Sequence, residues 1–449
     1  MRTADPFLAY DVRGRIDESL DDELAYGIGL AFSYRFKSKK VVLGRDIRGS
    51  SPSLSRSLTE GLLDGGSDVL DIGLCGTETV YFATSHLVAD GGIMITASHN
   101  PRDYNGMKFV LKGSVPLHKD NGLFDVRDLA FSEGIPMGKR RGNVSSIDVM
   151  DPYIGKLLSF VPDRKKLEGM VIATDPGHGC AGPVLDRLAS ELKLDVHRIH
   201  HSPDGTFPAG VPNPILPEMR REITKAVISS GSEAGIAWDG DFDRCFMLDE
   251  NGGFIEGYYM VGLLAKAMLK KVPGSSIVHD PRLIWNTVEI VKECGGIPLM
   301  NRTGHAFIKD RMRAENAVYG GEMSAHHYFR DFYFCDTGMV PWLLTLQLMR
   351  DSNLPLSRLI GEMTRKYPVS GEINRKVADP LGTLDRIEKE YSKGAVSVDH
   401  TDGVSIENKN YRFNLRSSNT EPLIRLNIET RGDRDLLQKL TEEILSKIG

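Results

Sequence analysis

The sequence predicts an α/β protein with three similar mixed-sheet α/β domains and a smaller C-terminal α+β domain. A chain of 449 residues is too long for a single hydrophobic core. Short apolar strands followed by amphipathic helices recur along most of it, which indicates βα units. The last part has several strands and a closing helix instead. We therefore expect domains over residues 1–147, 148–250, 251–365 and 366–449.

A weak threefold repeat supports the first three domains. Its strand-like runs lie at 41–46, 170–175 and 276–280, and a helix-like apolar spacing follows each of them. A further apolar run in each repeat leads into a polar loop, and these loops contain Ser98, residues 239–243 and residues 321–324. Open α/β sheets bind ligands beyond the carboxyl ends of their strands. We therefore expect three chemically different loops in equivalent places.

The remaining elements mark the domain boundaries and the C-terminal domain. The segments 138–142, 249–253 and 366–368 have the composition of linkers or turns. Three strand-like runs and a helix with an apolar stripe follow, and they are 396–398, 411–415, 424–428 and the helix bearing Leu436, Leu437, Leu440, Ile444 and Ile448. This pattern predicts the α+β domain.

Composition narrows the possible partners. The chain has 56 Lys and Arg against 61 Asp and Glu, a net charge of −5, so it has no global attraction for nucleic acid or an anionic membrane. Its five scattered cysteines lack CxxC spacing and predict buried thiols in a reducing compartment. The N-terminus is not signal-like, and the apolar segments 258–269 and 338–349 are shorter than a bilayer requires. We expect a cytoplasmic monomer or homodimer that binds small molecules.

Ser98 is the first candidate functional residue. It lies in Thr96-Ala97-Ser98-His99-Asn100-Pro101, directly after the apolar run 91–95. A hydroxyl at the end of a strand can serve as a covalent carrier, here of phosphate. The alternative is that this serine caps a helix.

Asp239, Asp241 and Asp243 are candidate metal ligands. If the segment is extended, its period of two places all three carboxylates on one side, and three hard oxygen donors favour Mg²⁺. A solvated acidic loop is one alternative. An EF-hand is disfavoured, because Arg244 stands where that loop requires glycine. The strand-then-DxD pattern also suits an aspartyl-phosphate phosphotransferase of the haloacid dehalogenase type.

Other polar side chains are suited to binding sugar hydroxyls and phosphate groups. Residues 416–422, with Arg425 beyond them, concentrate the donors of a phosphate cradle, and a simple Ser/Thr turn is the alternative. Glu322, Ser324 and His326 offer partners for sugar hydroxyls. Basic residues recur near the loops, and any one of them alone is typical of a solvated surface charge: Arg13, Arg45, Arg48, Lys108, Arg244 and Arg282. The candidate proton carriers, which the sequence does not rank, are Lys108, His99 and His305.

Taken together, these motifs resemble the α-D-phosphohexomutase superfamily, and most closely its bacterial phosphomannomutase branch. The motifs run from residue 10 to residue 425 in the family's order, so the resemblance covers essentially the whole chain. It implies that the four domains surround a central active-site cleft. The motifs are Tyr10-Asp11-Val12-Arg13-Gly14, the Ser98 string with Tyr104-Asn105-Gly106 and Lys108, Asp239-Gly240-Asp241-Phe242-Asp243-Arg244, Thr303-Gly304-His305, Gly321-Glu322-Met323-Ser324-Ala325-His326 and Arg416-Ser417-Ser418-Asn419-Thr420-Glu421-Pro422.

The resemblance implies residue roles. Ser98 would be the phosphoserine, and its phosphate would bind Mg²⁺ together with Asp239, Asp241 and Asp243. Glu322 and Ser324 would contact sugar hydroxyls. The phosphate that is not reacting would be bound by Arg416, Ser418, Asn419, Thr420 and Arg425. Arg282 stands where some relatives have lysine, which leaves its role less defined.

The resemblance also implies a reaction. A phosphoryl group would move reversibly between the 1- and 6-positions of a hexose phosphate, mannose in the first place, with a hexose 1,6-bisphosphate as intermediate and activator. Further residues expected to act in catalysis or substrate binding are His99, Lys108, Arg244, His305, Arg13, Arg282 and His326. Glucose or dual specificity stays open, as does a catalytically silent sugar-phosphate sensor.

Overall fold

The computed structural model describes residues 5–132, 134–417 and 423–448. Its contacts divide the chain into two compact units. The first contains the residues up to Phe254 together with His326–Asn353, and the second contains Ile255–Ala325 together with the residues from Leu354 onward. The third predicted domain therefore contributes to both units, and the four predicted boundaries stay predictions.

The first unit begins with a mixed sheet. Its strands have the order β1-β5-β4-β2-β3-β7, with β6 paired to β5; β2, β3, β4 and β7 are joined by parallel pairings, whereas β5 runs antiparallel to its neighbours. Apolar residues of the sheet and of α1, α2 and α4 form its core. The elements are β1 (Val12–Arg15), α1 (Asp22–Phe36), β2 (Lys40–Arg45), α2 (Ser51–Asp64), β3 (Asp68–Leu74), α3 (Thr77–His86), β4 (Gly91–Ile95), β5 (Tyr104–Leu111), β6 (Val115–Pro116), α4 (Leu123–Ala130) and β7 (Val144–Ser146).

A second sheet in the same unit has the order β11-β10-β8-β9, parallel except for the antiparallel pair β10 and β11. Because β10 and β11 are antiparallel and consecutive in the chain, a short hairpin connection links them. The elements are α5 (Met150–Leu158), β8 (Val171–Asp175), α6 (Ala181–Leu192), β9 (Asp195–Arg198), α7 (Arg221–Ser230), β10 (Ala234–Trp238), β11 (Cys245–Leu248) and β12 (Phe254–Ile255).

The second unit contains part of a third sheet. Its strands there have the order β14-β13-β15, and all of them are parallel. The chain then returns to the first unit for an antiparallel pair, β16 and β17, and for α11. The elements are α8 (Gly257–Lys271), β13 (Ser276–His279), α9 (Trp285–Glu293), β14 (Ile297–Met300), α10 (His305–Ala314), β15 (Tyr319–Gly321), β16 (His327–Phe329), β17 (Cys335–Asp336) and α11 (Val340–Ser352).

The C-terminal part of the second unit is the predicted α+β domain. Its antiparallel sheet has the order β18-β22-β21-β20-β19, and α13 and α14 cover an apolar core on it. The predicted fold class is thus confirmed. The structure also contains three elements that the sequence patterns did not predict, namely β18, β20 and α13. The elements are α12 (Leu356–Lys366), β18 (Ile373–Lys376), α13 (Pro380–Tyr391), β19 (Ser397–Asp399), β20 (Val404–Glu407), β21 (Tyr411–Ser417), β22 (Leu423–Thr430) and α14 (Arg434–Ile448).

Among the described residues, none of the helices has the length and apolar character needed to cross a membrane. All five cysteines are free thiols, and four of them are buried. The prediction of buried thiols is therefore confirmed for four of the five cysteines, whereas Cys294 is partly exposed.

A buried carboxylate joins three segments of the first unit. Glu78 accepts hydrogen bonds from Tyr153 Oη at 2.5 Å and from Thr337 Oγ1 at 2.8 Å. It also accepts backbone hydrogen bonds from Gly338 at 2.5 Å and Met339 at 3.2 Å, immediately before α11. An acceptor at this end of a helix satisfies backbone donors that the helix leaves unpaired.

Burial makes the contribution of Glu78 to stability depend on pH. It raises the pKa of this carboxyl from 4.5 to about 8, against the opposing effect of its hydrogen bonds. Folding therefore takes up a proton, and the resulting stabilisation is complete below the unfolded pKa of 4.5 and is lost as the pH rises toward 8. In thermal unfolding, we expect the Tm of the wild type to fall relative to that of Glu78→Gln between about pH 5 and pH 8. Parallel Tm curves would contradict this, and the exposed Glu191→Gln serves as the control.

Candidate functional site

Ser98 lies in a buried turn directly after β4. Its φ of +48° is in the left-handed region, which is strained for a residue with a Cβ. Its N–H donates to Thr96 Oγ1 at 2.8 Å, and its Oγ donates to Asp239 Oδ2 at 2.6 Å. Strand β5, not a helix, is the next element, so the helix-cap alternative is wrong.

Arg48 holds the loop that carries Ser98. Its Nη2 donates to the carbonyl oxygens of Ser98 and Asn100, both at 2.7 Å, and its Nη1 donates to that of Pro101 at 2.8 Å. The side chain is only 1% exposed. The surface-charge alternative is therefore wrong for Arg48, which positions the loop instead.

Arg13 supports the same loop from β1. Its Nη1 donates to Ala97 O at 3.0 Å and to Asn100 Oδ1 at 2.6 Å, while Nη2 pairs with Asp11 Oδ2 at 2.7 Å. The structure thus places Arg13, a predicted substrate-binding residue, beside the serine loop. Its Nε is buried and donates no hydrogen bond to any described atom.

The three aspartates are brought together by the connection between β10 and β11, where Phe242 has a φ of +44°. The prediction of an extended segment with a period of two is wrong, because this connection turns. One carboxylate oxygen from each of Asp239, Asp241 and Asp243 still lies within 4.8 Å of the others. Gly240 lets the turn approach Ser98, since a Cβ there would lie 2.8 Å from Ser98 O.

Buried cations surround these carboxylates. Lys108 Nζ lies 2.7 Å from Asp241 Oδ2 and 2.5 Å from Asp243 Oδ2, and Arg244 Nη2 lies 2.7 Å from Asp239 Oδ2. All five residues are buried. The solvated-loop alternative is wrong for the aspartates, as is the surface-charge alternative for Lys108 and Arg244.

Thr77 is a neighbour that sequence reasoning missed. It is the first residue of α3, its N–H donates to Asp241 O at 3.0 Å, and its hydroxyl donates to Asp241 Oδ2 at 2.5 Å. Gly76 before it leaves room for the Phe242 ring, which a Cβ would meet at 2.2 Å. No short motif signals this contact, because 164 residues separate its partners.

The aspartate cluster fits a hard divalent cation. Asp241 Oδ1 and Asp243 Oδ1 are buried and accept no hydrogen bond from the described residues. A buried carboxylate oxygen without a hydrogen bond is energetically unfavourable, and a bound cation would stabilise it. Mg²⁺ suits this site because it prefers oxygen ligands. The EF-hand alternative is wrong, because strands flank the loop.

The charges perturb the titration of the site. Burial raises the pKa of Asp239 to about 6, although Arg244 opposes this. Burial acts in the same direction on Asp243, but Lys108 and His326 outweigh it and hold the pKa of that carboxyl well below its usual range. The pKa of Lys108 is raised by Asp241 and Asp243 against the effect of burial. Lys108 is therefore a fixed cation.

The histidines of the first unit differ in environment. His99 Nδ1 lies 3.1 Å from Ser98 Oγ and also contacts Arg244 Nη2. Burial, followed by Arg244, lowers the pKa of His99 well below its usual value, so this imidazole is neutral at pH 7. His326 Nε2 lies 3.6 Å from Asp243 Oδ1, and both belong to a second possible metal group with Asp336.

The predicted sugar loop lies in the second unit. Glu322 Oε1 accepts from Gly304 N at 2.9 Å, and Arg282 Nη2 lies 3.5 Å from Ser324 Oγ. Asp280 Oδ2 binds both Arg282 Nη2 at 2.6 Å and the Met323 N–H at 2.8 Å. Arg282 is buried, so the surface-charge alternative is wrong for it as well.

The predicted phosphate cradle is described in part. Arg416 Nη1 donates to Thr303 Oγ1 at 3.2 Å, and Arg416 and Arg425 both approach Glu372, which sequence reasoning missed. The predicted residues Ser418, Asn419 and Thr420 lie outside the described residues. His305, the first residue of α10, also belongs to the second unit, where its Nδ1 lies 3.4 Å from Lys309 Nζ.

Comparison with known proteins gives consistent matches. Models of the phosphoglucomutase/phosphomannomutase family match in order: α/β/α domain I over residues 5–128, domain II over 151–253, domain III over 256–367 and the C-terminal domain over 372–447.

Individual relatives match along the whole chain. A phosphomannomutase of Salmonella montevideo is 51% identical over 446 residues, with 98% of each chain covered. A protein of Xanthomonas campestris pv. campestris named phosphohexose mutases is 51% identical over 442 residues, with the same coverage. The crystal structure of a phosphoglucomutase/phosphomannomutase family protein from Burkholderia thailandensis is 30% identical with a TM-score of 0.90, covering 100% of this chain and 97% of its own. The chain therefore belongs to the phosphoglucomutase/phosphomannomutase family of the α-D-phosphohexomutase superfamily.

Proposed function

We propose that the chain is a phosphomannomutase that interconverts mannose 6-phosphate and mannose 1-phosphate through a phosphoserine at Ser98 and a hexose 1,6-bisphosphate. The observation that carries this proposal is the 2.6 Å hydrogen bond between Ser98 Oγ and Asp239, within a cluster of three buried aspartates. Phosphoryl transfer depends mainly on positioning and charge neutralisation, and this geometry supplies both.

In the first half of the reaction, phosphorylated Ser98 gives its phosphoryl group to the free hydroxyl of the substrate. The P–Oγ bond breaks and a bond between phosphorus and the sugar oxygen forms. The sugar hydroxyl gives its proton to a histidine, for which His326 and His305 are the candidates, and the released Ser98 Oγ takes up a proton through its hydrogen bond with Asp239. Arg244 and Lys108 are fixed cations that pair with the aspartates of this site, and their charges would stabilise the phosphoryl oxygens during transfer. When bound by Asp239, Asp241 and Asp243, Mg²⁺ supplies further positive charge against the phosphoryl oxygens.

In the second half, the bisphosphate has turned around and its other phosphate returns to Ser98. Ser98 Oγ must lose its proton as it attacks phosphorus, and Asp239 Oδ2 is the acceptor to which it already donates. Lys108 is not suited to this step, because its ammonium is held protonated. His99 orients the hydroxyl through Nδ1, and His326 and His305 stay candidates for the proton of the sugar.

The second unit binds the sugar phosphate. Glu322 and Ser324 contact sugar hydroxyls, and Arg282, Arg416 and Arg425 bind the phosphate that is not reacting. Mannose and glucose differ only at C2, so phosphoglucomutase or dual activity is the alternative. Values of kcat/KM for mannose 1-phosphate and glucose 1-phosphate, with Mg²⁺ and a trace of bisphosphate, decide between them. The absence of turnover with either would leave the sensor alternative.

Arg416→Ala is expected to weaken substrate binding selectively. The variant loses a guanidinium that lies 3.2 Å from Thr303 Oγ1, 3.2 Å from Glu372 Oε2 and 3.8 Å from Asp402 Oδ2. We expect KM for hexose phosphate to rise by roughly 10- to 100-fold, the range for a charge-assisted contact, with the Mg²⁺ dependence nearly unchanged. Equal losses in both would indicate that the loop is only structural.

A further inference from the structure

Three guanidinium groups of the second unit converge on the single carboxylate of Glu372. Arg416 Nη2 lies 3.2 Å from Glu372 Oε2, and Arg282 Nη1 lies 3.4 Å from the same oxygen. Arg425 Nη1 lies 3.4 Å from Oε1. The Glu372 side chain is only 21% exposed. Glu372 is therefore the carboxylate that all three arginines share.

The sheet of the C-terminal domain explains why this cluster needs an anion. Arg416 of β21 lies directly opposite Arg425 of β22, and like charges in that position destabilise a strand pair. Strand β18 pairs with the other edge of β22, with Asn374 opposite Arg425. Glu372 immediately precedes β18, so the fold brings a carboxylate to the arginine pair.

Arg282 joins the cluster because its backbone is held in place. Arg412 of β21 donates to Arg282 O at 2.8 Å and to Pro281 O at 2.6 Å. Asp280 binds Arg282 Nη2 at 2.6 Å, a short charge-assisted bond. Arg282 Nε also donates to Asp280, at 3.2 Å, which leaves Nη1 as the nitrogen that approaches Glu372.

The contacts to Glu372 are those of an exchangeable ligand. At 3.2–3.4 Å they are longer than the roughly 2.7–2.9 Å of strong charge-assisted hydrogen bonds. Arg416 Nε and Arg425 Nε are buried and donate no hydrogen bond to any described atom. Asp280 pairs with Arg282, and Asp402 Oδ2 lies 3.8 Å from Arg416 Nη1, so Glu372 is one of three carboxylates around the guanidiniums. A dianionic phosphate monoester carries more negative charge than the single carboxylate of Glu372, so it is the stronger ligand for these arginines.

We propose that Glu372 is a resident counter-anion that competes with the non-reacting phosphate of the substrate for these three arginines. This inference rests on the proposed function, and it adds a residue that regulates how fast the non-reacting phosphate is released. Between the two transfers, the bisphosphate has to withdraw one phosphate from the arginines and present the other. A carboxylate that re-forms its ion pairs with the guanidiniums as the phosphate leaves makes this release faster. The same competition lowers the affinity of the enzyme for its bound substrate.

The charge of Glu372 is present under working conditions. Burial opposes ionisation, but Arg282, Arg416 and Arg425 outweigh it and hold the pKa of Glu372 below its usual value. Glu372→Gln therefore removes one negative charge at neutral pH while preserving the size of the side chain. Glu372→Asp keeps the charge but shortens a side chain whose contacts are already long.

The test is titration of each full-length variant with inorganic phosphate in a calorimeter. The arginine site is defined as the binding lost in Arg416→Ala. For Glu372→Gln we expect the Kd for phosphate to fall at least about fivefold, the lower end of the typical coupling between two ligands, with Glu372→Asp intermediate. KM and kcat for the hexose phosphate should both fall, because release becomes slower. Glu442→Gln on α14 is exposed, makes the same charge change and should match the wild type.

Unchanged or weaker phosphate binding in both Glu372 variants would overturn the proposal, because Glu372 would then only organise the arginines. Thermal unfolding of each variant identifies any loss of fold. If the wild type lacked mutase activity, the proposed function would fail, yet the phosphate titrations would still test the competition.

Discussion

Ser98→Ala is expected to lower kcat for hexose-phosphate interconversion by at least about 10³-fold, because the variant lacks the oxygen that carries the phosphoryl group in the proposed mechanism. Ser98 Oγ lies in the aspartate cluster through its 2.6 Å hydrogen bond to Asp239, whereas the Thr77 hydroxyl is bound to Asp241. The assay measures initial rates with saturating Mg²⁺ and bisphosphate. Alanine retains a Cβ, so it meets the same strain at a φ of +48° as serine does.

Fold and catalysis can be separated in this variant. The main-chain contacts of Ser98, from its N–H to Thr96 and from its carbonyl to Arg48, do not involve the hydroxyl. We therefore expect the Tm to stay close to that of the wild type, and exposed Ser132→Ala to be fully active. Residual turnover within tenfold of the wild type would remove Ser98 from the mechanism.

Asp241→Asn is expected to lower activity by about 10²- to 10³-fold and to raise the Mg²⁺ concentration needed for half-maximal rate. The substitution removes a charge from a cluster whose Asp241 Oδ1 and Asp243 Oδ1 accept no hydrogen bond from the described residues. The backbone bond from Thr77 N to Asp241 O is unaffected, which favours a retained turn. Excess Mg²⁺ should restore part of the rate.

The control is Asp195→Asn, which removes the same charge from an exposed position on β9. It should leave both the rate and the Mg²⁺ requirement unchanged. An Asp241→Asn enzyme with a normal Mg²⁺ requirement and a reduced rate would contradict metal binding by this carboxylate. Its loss would then be attributed to the ion pair with Lys108.

Local patterns in the sequence were sufficient to select Ser98 and the three aspartates as candidate site residues. Ser98 follows a short apolar strand, and the three aspartates occupy five consecutive positions, so their types and spacing can be read directly. The geometry of the aspartates could not be read in this way. Strand periodicity predicts alternation, whereas the antiparallel pairing of β10 with β11 requires a turn at this point.

The residues that organise the site were less accessible to sequence reasoning. Arg48 lies 50 residues from Ser98 in the chain, and Glu372 lies 90 from Arg282. Such partners are joined only by strand order and by burial, which a single sequence does not show. For the same reason β18 was missed: its residues are mostly exposed and polar, and it pairs with a strand about 50 residues later.

The central claim is that every transferred phosphoryl group passes through Ser98. The most direct measurement incubates the protein with a hexose 1,6-bisphosphate labelled in its phosphates and maps the labelled peptide with and without hydroxylamine. We expect one phosphoryl group on Ser98, stable to hydroxylamine and discharged by mannose 6-phosphate. A hydroxylamine-labile label on Asp239 would contradict this account and support the aspartyl-phosphate alternative.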